Sequence, residues 1–456
     1  FFKVRERSFL NLTSYVCGWT RLPVYGVYPP CNHATRMEDY LVRVRSERAE
    51  RARKPDKPDD FICYSDTEDD EDLLVNKSKF NTSYNFVDYI VSRQTGLRDF
   101  RCFKSNFASE YISTHEMFKE WTIPLTPMNK VFSSQWLSDR QIAFGTKCYK
   151  LMVYDVVTQK LDQIPLLEGR REFRSDSMED QGIHTLEINP SRTLLTTIGN
   201  SANEVAVYKL PTLEPVCIGE KGHDDMIFDM VWLDDEFLVS GGKDTKMALW
   251  RVPQFKRFCP TTTHYMEPVR SLVFNRSLNE IVALTLNGFI HVWKTEEFRQ
   301  KITRKLQSSQ ENACMAMHGS GTVYAIGSKS YTALLDSRTI QPIRKIVSKN
   351  NGYGIRSLSF QGDMLTIGTG LGTILFYDWR AGRYIVSKVN SSRTISLKTS
   401  RGFVVNNDFV DHGFQQNLKY LPAIYTHCYD LSGVRLFAAG GPLDSNTSGH
   451  YAGLWQ

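Results

Sequence analysis

The 456-residue chain carries 56 Lys and Arg against 50 Asp and Glu, a formal net charge of +6, and 41% of its residues are hydrophobic. That supplies core material for two or three domains or for one large repeat array, and too little excess charge to argue for a nucleic-acid partner. Nine cysteines show no CxxC or Cys/His spacing, so no zinc site, no other cofactor and no disulfide framework are expected; free thiols point to a reducing compartment, cytoplasmic and nuclear.

In chain order, the first residue is Phe rather than Met, so the natural start is expected to lie elsewhere. No secretory signal opens the chain and no apolar run reaches the ~18 residues of a membrane span, so no membrane contact is expected. Residues 1–80 contain the basic run RVRSERAERARKPDKPDD (43–60) and the acidic run DTEDDEDLL (66–74). Mixed charge with few core-forming positions reads as a solvated, largely disordered arm.

From residue 83 the texture changes. Phe86, Tyr89, Ile90 and Arg93 fall at i, i+3, i+4 and i+7, with Ser83 as an N-cap and Gly96 past the end. Phe100, Phe103, Phe107 and Tyr111 repeat a helical spacing. The spacing predicts a helix–loop–helix over 83–116, which is either a lid on the following domain or a docking peptide for a partner's groove.

After residue 128 a repeat of roughly 40 residues sets in. Its seven copies cover 132–155, 184–208, 228–250, 269–293, 313–336, 355–378 and 425–455. Each holds an alternating strand, a turn, a second strand ending near Gly or Thr, another turn, and a third strand closed by an aromatic or Asp. Short strands in this order predict an all-β, seven-bladed WD-repeat β-propeller over 119–456. In the third copy His223 and Asp244 are expected to tie loop to turn. The seventh copy stops at its third strand, and KEWTIPL (119–125) is expected to supply the fourth and close the ring. The stretches 251–267 and 381–421 are expected to be loops.

Register places Phe132, His184, Phe228, Arg270, Ala313, Arg356 and Tyr425 at one equivalent position, the start of the innermost strand and hence the channel mouth. The turn after the second strand holds Lys147, Lys243 and Lys329, and Lys130 lies two residues before Phe132. Like charges brought together are unfavourable unless an anion offsets them, so the set is a candidate anion site. Aromatic walls at a narrow mouth suit a chain terminus better than a duplex, whose phosphates need an extended basic face. For a single Arg a merely wet channel is the simpler reading; for a converging set the anion site is. No nucleophile elbow, phosphate loop, HExxH helix or kinase motif is present, and His184 has no register partner that makes it a base; the chain is not expected to be an enzyme.

LDSR (335–338) and YDWR (377–380) end third strands in neighbouring blades. Asp as a turn cap with Arg exposed accounts for both; alternatively Arg338 and Arg380 stand side by side on the rim opposite the channel mouth. With the preceding helix pair, and with stretches such as NKVFSSQWLSDRQIAFGTKC, GIHTLEINPSRTLL, GTGLGTILFYD and HYAGLW, the chain resembles the WD-repeat substrate receptors of the cullin-four RING ubiquitin ligases, the DDB-one- and cullin-four-associated factors, from about residue 83 to the end. The resemblance implies docking on the DDB-one adaptor, and through it on the cullin-four ligase, by Phe86, Tyr89, Ile90, Arg338 and Arg380. It implies recognition of substrate proteins ending in an acidic Glu-Glu pair by Lys130, Lys147, Lys243, Arg270 and Arg356. Lys243 stands where the family usually has arginine, keeping the charge but losing the planar fork. LDSR also departs from the box, with Leu in place of an aromatic. Two other readings compete: a scaffold propeller binding phosphate-bearing ligands or acidic peptides outside the ubiquitin pathway, and nucleic-acid binding through the basic arm.

Overall fold

Each of the seven repeat copies forms its own antiparallel sheet, and the innermost strands start at Val131, Glu187, Ile227, Val269, Cys314, Ile355 and Ala423. The computed structural model describes residues 112, 119–125, 128–169, 182–252, 257–258, 261–264, 267–306, 312–348, 353–387, 393–405, 421–444 and 447–456. The charged arm and nearly all of the 83–116 segment, Phe86, Tyr89 and Ile90 included, lie outside the described residues. Ile112 is the described residue of that segment; it is helical and fully buried against Ile374, Phe376, Ile424 and Leu436 between blades six and seven.

The sheets stack as blades of a seven-bladed propeller. The inner strand of blade seven packs against those of both blade six and blade one. Second strands such as Phe237–Gly242, Glu280–Thr285 and Leu436–Gly441 are buried along their whole length. A neighbouring blade covers each of their faces, which is why they read as apolar runs rather than alternations. The hydrophobic clusters accordingly lie between blades: Val205, Val207, Trp232 and Trp250 join blades two and three, and Val282, Ile290, Tyr324 and Leu335 join four and five. Outer strands face water, and Arg299–Lys305 and Pro342–Val347 together carry six cations, a guard against edge pairing.

Seams close tightly because second strands carry glycine where the next blade's first buried aliphatic arrives. A Cβ on Gly145 would lie 2.4 Å from Ile183 Cγ2, and one on Gly241 2.5 Å from Val269 Cγ1. Polar residues then stitch inner strand to inner strand. Ser133 Oγ donates to Ile183 O at 3.2 Å, Ser357 Oγ to Ile424 O at 3.0 Å, and Ser134 Oγ pairs with Thr426 Oγ1 at 2.8 Å.

Blade three contains the loop-to-turn tie expected of His223 and Asp244, with Nδ1 3.0 Å from Oδ1. It extends further into the blade: His223 Nε2 and Trp250 Nε1 both meet Ser240 Oγ at 2.6 Å. Asp244 also accepts from the N–H groups of Asp224 and Lys246. Burial pushes its carboxyl up, but the His223 bond and charge together with those N–H groups outweigh burial and hold it below the usual carboxylate range.

Two stretches expected as loops contain strands. Thr261–His264 is the fourth strand of blade three, pairing with Lys246–Leu249, and Arg257–Phe258 runs parallel to Ile218–Gly219 of blade two. Arg383–Tyr384 and Ser396–Lys398 pair with the third strand of blade six, and Phe403–Val405 pairs with Ser448–His450. Glu120–Thr122 pairs with Gly453–Trp455 as the outer strand of blade seven.

Candidate functional site: the channel mouth

Inner-strand starts share a local device. In five blades the ladder slips by one residue, between Val131 and Ser133, Ile227 and Asp229, Val269 and Ser271, Ile355 and Ser357, and Ile424 and Thr426. The skipped residues are Phe132, Phe228, Arg270, Arg356 and Tyr425. A bulge puts two residues opposite one and turns the extra side chain out of the ladder. The buried aliphatic before it anchors the seam, the small polar residue after it makes the inter-blade bond, and the bulged residue faces the mouth. All five are half-buried. His184, between buried Ile183 and Thr185, follows the same pattern without a strand at that point.

The bulged side chains form a two-sided ring. Phe132 stacks on His184, with centroids 4.5 Å apart, and meets Tyr425 edge-on at 5.4 Å. His184 meets Phe228 at 5.4 Å, and the Arg270 guanidinium lies 5.1 Å over the Phe228 ring. Arg356 completes the circuit: its charge acts on both Arg270 and Tyr425.

Beneath Arg270 sits Asp229, whose Oδ2 accepts from Leu272 N at 2.8 Å and Ser271 Oγ at 2.9 Å. Its Oδ1 accepts from Met230 N at 2.9 Å and Thr185 Oγ1 at 3.3 Å. Burial nonetheless pushes the carboxyl up, against these bonds and the charge of Arg270. Burial likewise pulls the Arg270 guanidinium down; Asp229 opposes that and Arg356 adds to it. The Nε of Arg356 is buried with no hydrogen-bond partner among the described residues. Glu187, next to Asp229, is pushed up to about 8 by burial and then by the Asp229 charge.

The lysines arrive in two groups. Lys130 and Lys147 are 2% and 8% exposed, and Lys147 N donates to Lys130 O at 2.7 Å. Lys130 Nζ donates to the carbonyl of Asp444. That segment also receives the Tyr425 hydroxyl, at Pro442 O, and the charge of Arg356 acts on the same hydroxyl. Lys243 behaves differently: it is half-exposed and its Nζ lies 3.3 Å from Asp225 Oδ2. Lys329 is half-buried in the corresponding turn of blade five.

On the opposite face, where third strands end, Asp336 and Asp378 cap the LDSR and YDWR turns through the backbone N–H groups of Arg338 and Arg380. Arg338 is exposed. Arg380 Nε lies 3.1 Å from Asp363 Oδ1, a buried carboxylate also 3.3 Å from His318 Nε2.

Register in the sequence finds the bulged cations but misses their counter-charges. Asp229 and Glu187 escape it because no other copy carries a carboxylate at their register positions, and Asp225 because it precedes the inner strand. Asp229 does have a signal: it stands directly after a bulge, where other blades have Ser or Thr.

A family model described as the DDB1- and CUL4-associated factor 12 beta propeller matches residues 114–260 and 253–456. The chain belongs to this family. Outside it, 261 residues are 24% identical to the guanine nucleotide-binding protein subunit beta of Saccharomyces cerevisiae, covering 56% of this chain and 49% of that protein. The match thus spans about half of that relative's length, and at this identity it speaks for the repeat fold alone.

Proposed function

We propose that the protein is the non-catalytic substrate-recognition subunit of a cullin-four RING ubiquitin-protein ligase, acting in cytoplasm and nucleus, and that its channel mouth holds substrates ending in Glu-Glu and promotes their ubiquitination and degradation. Membership of the DDB1- and CUL4-associated factor 12 propeller family supports the ligase half of this reading. The recognition half rests on one observation: Arg270 and Arg356 meet at the mouth, and Arg356 Nε is buried without a hydrogen bond. Carboxylates replace the mutual repulsion of the guanidiniums with charge-assisted bonds of about 1.5–3 kcal/mol each. A chain end brings its α-carboxylate as well as side-chain carboxylates, a charge that an internal Glu-Glu lacks. Lys130 and Lys147 add positive potential from the blade-one side, and Lys243 contributes after release from Asp225. Adaptor docking is assigned to the opposite face, through Arg380 and Arg338, and to the helix-pair residues Phe86, Tyr89 and Ile90.

The test is reconstitution with adaptor, cullin and RING subunits and a reporter ending in Glu-Glu. Ubiquitin transfer is expected with the wild-type chain and lost on capping the reporter with one further glycine. Arg356→Ala is expected to abolish transfer with adaptor co-purification intact, and Arg338→Ala/Arg380→Ala to weaken co-purification with peptide binding intact. Transfer indifferent to the glycine cap contradicts end recognition; co-purification unaffected by the double change contradicts the docking assignment.

A further inference from the structure

The mouth is not a uniform cationic ring. Tyr425, Phe132, His184 and Phe228 come from four consecutive blades and touch ring to ring, with centroids 4.5–5.4 Å apart. The two guanidiniums occupy the other side, flanking blade five, where the register position is the small Ala313. All four rings retain partial exposure, and the mouth is where they keep it. An anion alone leaves that surface uncovered, because a carboxylate is repelled by the negative face of an aromatic ring. An apolar side chain gains by covering it.

An extended peptide places alternate side chains on opposite sides and advances about 3.3 Å per residue. With the α-carboxylate and the penultimate glutamate side chain against Arg270 and Arg356, the last glutamate and the residue before the pair share the opposite side, the former toward Lys130 beside Tyr425 and the latter toward the facing arc. Resting on the chain-end reading above, we propose that the aromatic arc is a side-chain subsite, which selects among chains ending in an acidic pair those whose preceding residue is apolar or aromatic. An acidic residue there meets the ring faces and is disfavoured.

Peptides of one sequence with Phe, Leu, Ser or Asp before a free Glu-Glu end, titrated by fluorescence polarisation, test this directly. The wild-type protein is expected to bind the Phe or Leu peptide about tenfold more tightly than the Ser peptide, with Asp weakest. Phe132→Ala is the cleaner variant, since Phe228 also carries Arg270. It is expected to bring the Phe-to-Ser ratio close to one; a ratio kept at the wild-type value in this variant counts against the subsite. Ratios within twofold across the series in the wild-type protein, with all peptides bound, overturn the subsite and leave the chain-end reading standing. This series needs no variant to fold. Absence of binding by any peptide, or equal binding of amidated ones, overturns the chain-end reading and the subsite with it.

Discussion

Replacing Asp229 by Asn separates the carboxylate's two roles. Asp229 accepts four hydrogen bonds from residues of blades two, three and four while supplying the negative charge beneath Arg270. An asparagine amide has one acceptor oxygen, so its NH2 group must face either Leu272 N and Ser271 Oγ or Met230 N and Thr185 Oγ1. A hydroxyl can turn to accept, whereas a backbone N–H cannot, so one buried donor is orphaned at a cost of about 1–3 kcal/mol. With an unfolding entropy of roughly 0.7 kcal/mol/K for a propeller of this size, the melting temperature should fall by about 1–4 °C. Binding should move the other way. Removing a negative charge close to the Arg270 guanidinium strengthens its hold on an anion by about fivefold at low ionic strength, and by less as salt is added. Differential scanning fluorimetry and polarisation with a Glu-Glu peptide read the two effects. A variant that melts unchanged, or binds more weakly, refutes the assignment of Asp229 as both seam staple and counter-charge.

Asp244→Ala strips the partners of Asp224 N, Lys246 N and fully buried His223, and should cost about 2–4 kcal/mol in urea unfolding. Gly241→Ala should destabilise by about 1–3 kcal/mol, since its Cβ would press on Val269 in the blade three–four seam; a thermal melt equal to wild type contradicts that packing. Glu187 has its folded pKa raised to about 8 by burial and Asp229, so between the unfolded carboxyl range and about pH 8 the native state holds a proton that the unfolded chain releases. Stability should therefore fall as pH rises through that window and level off above it. Buried His427, lowered to about 4, makes stability rise from about pH 4 to 6.5 and is silent beyond, so the Glu187 effect is cleanest between pH 6.5 and 8. Glu187→Gln should flatten the profile there, and an unchanged slope excludes Glu187 as its source.

Much of this architecture is legible in the sequence because the physics repeats. Strand alternation, buried second strands and the residue before each seam recur copy by copy, and aligning them locates Phe132, Phe228, Arg270, Arg356 and Tyr425 without coordinates. Bulges explain why that position is so informative: the ladder releases it, so packing constrains it least. Fourth strands are harder to read. Thr261–His264 and Ser396–Lys398 lie at sheet edges where backbone pairing suffices and no apolar alternation is required. Charge is legible by count but not by pairing. The sequence makes Lys243 equal to Lys147, whereas folding buries Lys147 and sets Lys243 against Asp225. Arg380 and Arg338 likewise look alike in their boxes, yet Arg380 has a buried carboxylate from Asp363, more than 15 residues away in sequence.

The most direct test of chain-end recognition is a fluorescence-polarisation titration of the protein with a peptide ending in Glu-Glu, free or amidated, with Arg356→Ala alongside. Saturable binding that weakens with salt, and that is lost on amidation and in Arg356→Ala, is the expected result. Equal affinity for the free and amidated peptides, undiminished in the variant, contradicts it and leaves the mouth a water-lined channel.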